Sequence, residues 1–186
     1  MILSDRTIKE KLKSGEIAIE PFTPENLQPA SYDLTLGTKA LVFDITNHTE
    51  IDVKKPTEDL MRELDINQFG SLVVHPGEFV LSNVAEIVGV DASHVARLEG
   101  KSSLGRLGLI VHATAGFLDP GNKLRMTLEI SNIGALPVRL YPGMKIAQIA
   151  FEQLDQPSEK PYGSKELNSK YLGDMTVKAS QIHKNF

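Results

Sequence analysis

No cysteine occurs in the 186 residues, which excludes disulfides, thiolate metal sites and cysteine nucleophiles. No apolar run approaches the length of a membrane span, and the opening MILSDRTIKE lacks the pattern of a secretory signal. A cytoplasmic protein is expected. Strong charge of one sign is also missing: the net charge is −4, which argues against a surface that coats nucleic acid. It does not argue against a nucleotide ligand, because a few local cations and a bound Mg²⁺ override a weakly negative average. The five histidines (His48, His75, His94, His112 and His183) show no HxxxH spacing, and each reads as a surface or core residue rather than a ligand. A hydrophobic fraction of 41% and a charged fraction of 24% are ordinary for a globular chain, and the length suits one domain with a sizeable core.

What is present concentrates in one stretch, Gly100 to Asn132, reading GKSSLGRLGLIVHATAGFLDPGNKLRMTLEISN. Its opening resembles the end of a phosphate-binding P-loop, but that motif needs another Gly at position 95, which is Val, and a βαβ pattern that is missing. A nucleotide-triphosphate motor is therefore rejected. Lys101, the hydroxyls of Ser102 and Ser103, the backbone near Gly105 and the planar cation of Arg106 still suit a polyanion such as a triphosphate. The bland alternative is a polar turn opening a short helix, with Ser103 as N-cap and Arg106 solvated.

Along the chain, Ser4 and Asp5 open a short helix with Ile8 and Leu12 on one face and Gly15 at its end. Ile17 and Ile19 alternate as in a strand, and Pro21 to Pro29 is loop. Tyr32, Leu34 and Leu36 predict a half-buried strand closed by Gly37, with Leu41 to Phe43 as its hairpin partner. Thr57 is expected to cap one helical turn through Leu60, Met61 and Leu64. From Ser71 onward the pattern is all-β: Leu72–His75, Phe79–Leu81, Glu86–Val90, Val95–Leu98, Leu124–Ile130, Val138–Leu140 and Lys145–Phe151 have the spacing of a sandwich or barrel. Leu104 to Leu109 allows no more than a helical turn. Asp155 to Phe186 is polar and lacks apolar periodicity, the pattern of a disordered tail unless a ligand orders it.

GKSSLGRLGL, HATAGFLDPG and TLEISN, in that order, resemble the dCTP deaminases of the trimeric dUTPase superfamily. The likeness extends to SYDLTLG at Ser31–Gly37, to PGMKIAQI at Pro142–Ile149 and to a tail containing PYG and SKY, so it covers nearly the whole chain. The resemblance implies a mostly β, distorted jelly-roll barrel with short peripheral helices, assembled as a homotrimer with sites at subunit interfaces. It implies a β domain over residues 1–154 and a C-terminal arm over 155–186 that closes on nucleotide.

Deaminating a cytosine requires water at C4 and a group that carries protons to the departing ammonia. The zinc route needs His and Cys ligands, and without cysteine it is closed. A carboxylate tuned for proton transfer in a dry pocket is the remaining means. Glu129 is the candidate, set among Leu124, Met126, Leu128 and Ile130, and expected to share a face with Thr127 and Ser131 only through a local bulge. An outward polar position on an amphipathic strand is its other reading. By resemblance, Glu129 is the general acid/base, Ser102 positions the water, and Arg106 supports base and water from a neighbouring subunit. Lys101 and Ser103 fit phosphate contacts, and Leu104, Gly105, Ala115, Thr127 and Leu128 fit further substrate contacts. Asp119 matches the carboxylate facing the 3′-hydroxyl, though Asp-Pro-Gly is also a plain turn. Gln148, Tyr162 and Lys170 complete the set, and Asp174 stands where the family usually carries Gln, so it must point away or act through Mg²⁺.

Gly116 and Phe117 resemble the bifunctional branch that converts dCTP to dUMP, since Gly leaves space for a second water, although Gly equally suits a tight turn. The resemblance implies Mg²⁺ carried by the triphosphate, no zinc, dCTP and dUTP as ligands, and dTTP as inhibitor. The alternatives are a deaminase releasing dUTP, a plain dUTPase, and a non-catalytic jelly-roll module. If the zinc-free reading holds, ammonia release from dCTP persists in a zinc-selective chelator and falls when Mg²⁺ is withdrawn. Stoichiometric zinc in active protein would contradict it.

Overall fold

The computed structural model describes residues 1–114 and 116–186. In chain order, helix α1 (Asp5–Ser14) is followed by strands β1 (Ile17–Glu20), β2 (Leu27–Gln28), β3 (Ser31–Phe43) and β4 (Met61–Asp65). A one-turn helix α2 (Ile66–Phe69) precedes β5 (Leu72–Val74), β6 (Phe79–Val84), β7 (Ile87–Val90) and β8 (His94–Gly100). Then come α3 (Ser102–Gly105), β9 (Leu109–Ile110), β10 (Phe117–Leu118), β11 (Lys123–Leu124), β12 (Thr127–Asn132), β13 (Val138–Leu140) and β14 (Lys145–Gln153). The mostly β architecture expected from the sequence is the one found. No described helix is long and apolar enough to cross a membrane.

Among the described residues the strands make three sheets. The largest runs β10-β8-β14-β3-β6-β12-β9, with β2 and β4 also on β3; the others are β1-β7-β11 and β13-β5. Helix α1 forms as its sequence predicts: the Ser4 hydroxyl accepts from the Thr7 N–H, and Gly15, at φ 80°, ends it by donating to the Lys11 carbonyl. Its Ile8 is fully buried. Tyr32, Leu34 and Leu36 of β3, Leu98 of β8, Leu128 and Ile130 of β12, and Ile146, Ile149 and Phe151 of β14 are exposed by 0–1%. Each such side chain contributes about 1.5–3 kcal/mol through burial.

Four local expectations are corrected. Leu41 to Phe43 is no hairpin partner but the far end of β3, whose partner there is β4 (Leu41 opposite Glu63). Gly37 does not close the strand; a side chain at that position would stand 2.8 Å from the Asn83 carbonyl, and the register shifts between Leu36 and Ala40. The strand therefore bends at Gly37 and continues. Thr57 does not cap a turn reaching Leu64: only Glu58–Leu60 is helical, as one 3₁₀ turn, while Met61 and Leu64 lie in β4. Its hydroxyl donates instead to the Ser180 carbonyl, at 2.5 Å. The run Leu124–Ile130 is split into β11 and β12 at Arg125, which turns to bond the Ala85 and Met175 carbonyls.

Residues 155–186 carry no described strand but lie against the body. Val177 and Ala179 pack on Leu41, beside Met61 and Leu81. The Arg125 N–H donates to the Asp174 carbonyl at 2.8 Å, and the Gly173 N–H to the Asn122 side chain at 3.2 Å. Truncation after Gln156 removes this satellite cluster and leaves the main core whole. We expect one cooperative thermal transition, lowered by about 3–8 °C, which corresponds to about 1–3 kcal/mol of lost packing. Loss of cooperativity in calorimetry would show that the segment belongs to the core.

Candidate active site

Strand β8 ends at Gly100 and delivers Lys101 to the start of α3. The turn is pinned by backbone bonds from Leu104 and Gly105 to the Lys101 carbonyl and from Arg106 to that of Ser102, all at 3.0 Å. Leu104 is buried beneath it. The capping position is Lys101, not Ser103, so neither serine hydroxyl serves the helix end. Ser102, Ser103, Gly105 and Arg106 are exposed, and the two hydroxyls and the guanidinium have no hydrogen-bond partner among the described residues. A simple capped turn would have used one of them.

Glu129 is on β12, paired in unbroken register with β6 from Thr127 opposite Asn83 to Ser131 opposite Phe79. No bulge is present, and the expectation of one is corrected: regular alternation already puts Thr127, Glu129 and Ser131 on the half-buried face and Leu128 and Ile130 in the core. The carboxylate does not project freely. Its Oε2 accepts from the backbone N–H groups of Ala113 and Thr114, at 2.9 and 3.1 Å, while Oε1 has no partner among the described residues. The Glu129 N–H donates to the Val111 carbonyl at 3.1 Å. Val111 to Thr114 and β12 thus lock each other, and one carboxylate oxygen is left for other work. Leu104 and Leu128 turn their side chains inward, so only their backbones can face a ligand.

A second group surrounds Asp33, which is buried on β3. Lys101 donates to its Oδ1 at 2.5 Å, and the Lys145 ammonium stands 3.1 Å from Oδ2. Gln148 lies opposite Asp33 in the β14–β3 register, accepting from Ser31 and donating to the Gly100 carbonyl. Lys101, read from sequence as a phosphate contact, is therefore oriented by a carboxylate that local sequence did not reveal.

A third group is the turn Asp119–Asn122 with residues 161–178 laid across it. Partial desolvation pushes the Asp119 carboxyl above the usual range, although the residue remains exposed at the surface. Gly121 sits at φ 85°, and a side chain there would meet Pro161 at 2.7 Å, which only glycine avoids. The Tyr162 N–H donates to the Pro120 carbonyl at 2.8 Å, and its hydroxyl accepts from the Tyr171 N–H at 3.1 Å. Lys170 is half-buried. Asp174 is buried and ion-paired with Lys178, so it carries its own counter-charge. Lys101 joins the first two groups through its bond to Asp33, and no hydrogen bond among the described residues joins either to the third.

Gly116 is buried and its carbonyl accepts from the Leu98 N–H at 2.7 Å. Phe117 beside it is 60% exposed, with the Arg97 guanidinium 6.0 Å from its ring. Ala115 lies outside the described residues. The sequence did not single out Asp33, Asn122, Arg125 or Lys145. Asp33 sat inside the SYDLTLG motif, and Arg125 was the cation interrupting a strand pattern; nothing local marked the others.

Residues 2–154 match the family model described as dCTP deaminase-like. The chain belongs to that family. A Corynebacterium jeikeium protein named dCTP deaminase, dUMP-forming, is 46% identical over 186 residues, covering 100% of this chain and 99% of that one. A relative of the same name from Nocardioides sp. is 45% identical, covering 100% and 97%. Among solved structures, a 2′-deoxycytidine 5′-triphosphate deaminase from Agrobacterium tumefaciens superposes with a TM-score of 0.64 at 25% identity, covering 82% of this chain. This chain spans 48% of that longer one.

In this dCTP deaminase-like chain the need for glycine at position 116 has a structural cause that can be tested. A Cβ on Gly116 would stand 2.8 Å from the Leu98 carbonyl and 2.9 Å from the His112 ring. Gly116→Ala is expected to cost about 1–3 kcal/mol through forced displacement of β10 or His112. A melting temperature equal to that of the parent protein would show that the site relaxes freely.

Proposed function

We propose that this protein converts dCTP to dUMP, pyrophosphate and ammonia, a cytoplasmic step supplying deoxyuridylate. The observation that carries the reading is Glu129: one carboxylate oxygen is held by two amides and the other has no partner among the described residues, on the half-buried face of β12. The full-length relatives with the dUMP-forming name support it. In the first step water adds across the C4=N3 bond, with Glu129 passing one water proton to N3, and the C4–N4 bond then breaks as the remaining hydroxyl proton moves through Glu129 to the departing ammonia and the C4 carbonyl forms. Ser102 orients that water, and Arg106 stabilises the charge that develops. In the second step another water cleaves between the α- and β-phosphates; position 116 does not supply the room for it that the sequence suggested, since the Leu98 carbonyl and the His112 ring fill the place of a side chain.

The donor set fits Mg²⁺ that arrives on the triphosphate. Asp33 and Asp174 are already paired with lysines. Among the described residues, the one cluster of three close His and carboxylate donors is Glu16, Asp91 and His94, at the end of α1. Bound through phosphate oxygens, Mg²⁺ supplies charge neutralisation. Tyr162 and Lys170 contact the phosphates when residues 155–186 close over nucleotide.

A homotrimer completes the site. Leu107, Ile110, Phe117, Ile133 and Leu136 are all exposed on the turns and short edge strands flanking it, an apolar surface that a second copy would cover. A concavity of about 510 Å³ exists within one chain, but His48, Glu50 and Asp59 line it, remote in sequence from all three groups. An interfacial site fits the exposed positions of Ser102, Ser103, Arg106 and Asp119. A deaminase that releases dUTP remains the second reading, and the product decides between them. Incubation with dCTP should give dUMP and pyrophosphate together with little free dUTP; dUTP as the stable product selects the second reading. Glu129→Gln should lower turnover by about two orders of magnitude or more while dCTP binding persists. Near-normal turnover would make Glu129 structural.

A further inference from the structure

The Asp33 group contains more positive charge than its packing requires. One buried carboxylate is balanced by one ammonium, yet two approach it, Lys101 on Oδ1 and Lys145 on Oδ2. The carboxylate side chain is 4% exposed, whereas those of Lys101 and Lys145 are 22% and 42% exposed. An ammonium carries three N–H donors. Lys101 gives one to Asp33, and Lys145 faces Asp33 and, at 3.4 Å, the Glu25 carbonyl. Donors therefore remain on both heads, turned to the solvent side of a buried anion. They lie beside the unpartnered hydroxyls of Ser102 and Ser103, and Gln148 fixes the preceding Gly100 carbonyl.

We propose that Lys145 is a second phosphate-binding ammonium and that Asp33 is the positioning residue that holds it beside Lys101. The proposal rests on the reading of this region as a nucleoside triphosphate site. Asp33 acts from inside the fold: fixing two flexible lysine heads on one rigid carboxylate removes the disorder that phosphate would otherwise have to suppress. The group as a whole stays cationic by one charge, which a triphosphate meets in a chain of net charge −4.

The test uses Lys145→Met and Lys145→Arg in the full chain, titrated calorimetrically with inorganic tripolyphosphate and with dCTP at two salt concentrations. Lys145→Met should weaken tripolyphosphate binding by about tenfold and flatten its salt dependence, and Lys145→Arg should restore most of the affinity. For dCTP turnover, KM should rise while kcat stays within about twofold, the pattern of a contact made equally in ground and transition states. Asp33→Asn should weaken binding further, and adding Lys145→Met to it should then have little additional effect. Tripolyphosphate affinity unchanged in Lys145→Met overturns the proposal, as does a loss that Lys145→Arg fails to restore. Loss of binding in Lys145→Met with no ammonia release by the parent protein would fault the reaction assigned above and keep the contact. Normal dCTP turnover with unaltered binding in Lys145→Met faults the contact alone.

Discussion

The bend in β3 at Gly37 is the constraint on which the rest of the structure depends. The first half of this strand pairs with β14 and carries Asp33; the second half pairs with β6, which in turn carries β12 and Glu129. One strand thus belongs to both halves of the candidate site. It can do so only if it turns without breaking its ladder, and the close approach of the Asn83 carbonyl leaves room for hydrogen alone at position 37. Straightening the strand would not remove a contact from the site. It would separate the carboxylate that orients lysines from the strand that carries Glu129.

Electrostatically the site is built by pairing anions inside before presenting cations outside. An isolated carboxylate buried as deeply as Asp33 would carry a penalty of several kcal/mol, which a partner ammonium offsets, and Lys101 supplies one. Asp174 follows the same rule with Lys178. Glu129 is different in kind. It is held by two amide dipoles rather than by a cation, so no charged partner competes for its second oxygen. Fixed dipoles at a carboxylate give orientation without neutralisation, the property wanted of a group that must both accept and release a proton.

The sequence disclosed the fold wherever a pattern of period 2 lay within one strand, as in Tyr32–Leu36 and Val138–Leu140. It failed where long-range partners decided the outcome. Leu41–Phe43 follows a glycine, and local rules read glycine as a stop; the actual reason for Gly37 is a neighbour at position 83. Thr57 has the residue type of a cap, but its hydroxyl serves a carbonyl at position 180. Lys101 was legible as a cation for phosphate, whereas the carboxylate that aims it lies 68 residues earlier. Glu129 was found for its chemistry, and its setting was misjudged: plain alternation places it on the half-buried face without any bulge.

The C-terminal segment raises a question of motion that its hydrogen bonds answer. Tyr162 accepts from the Tyr171 N–H, and Tyr171 accepts from the Gln181 N–H. In both cases the phenol uses a lone pair and keeps its own O–H to donate. A phosphate oxygen is an acceptor, so Tyr162 could bind one without surrendering its bond to Tyr171. The distal part of the segment is tied down separately, by Arg125 to the Asp174 and Met175 backbone and by Thr57 to Ser180. Closure over a ligand therefore needs no unfolding and refolding of the segment.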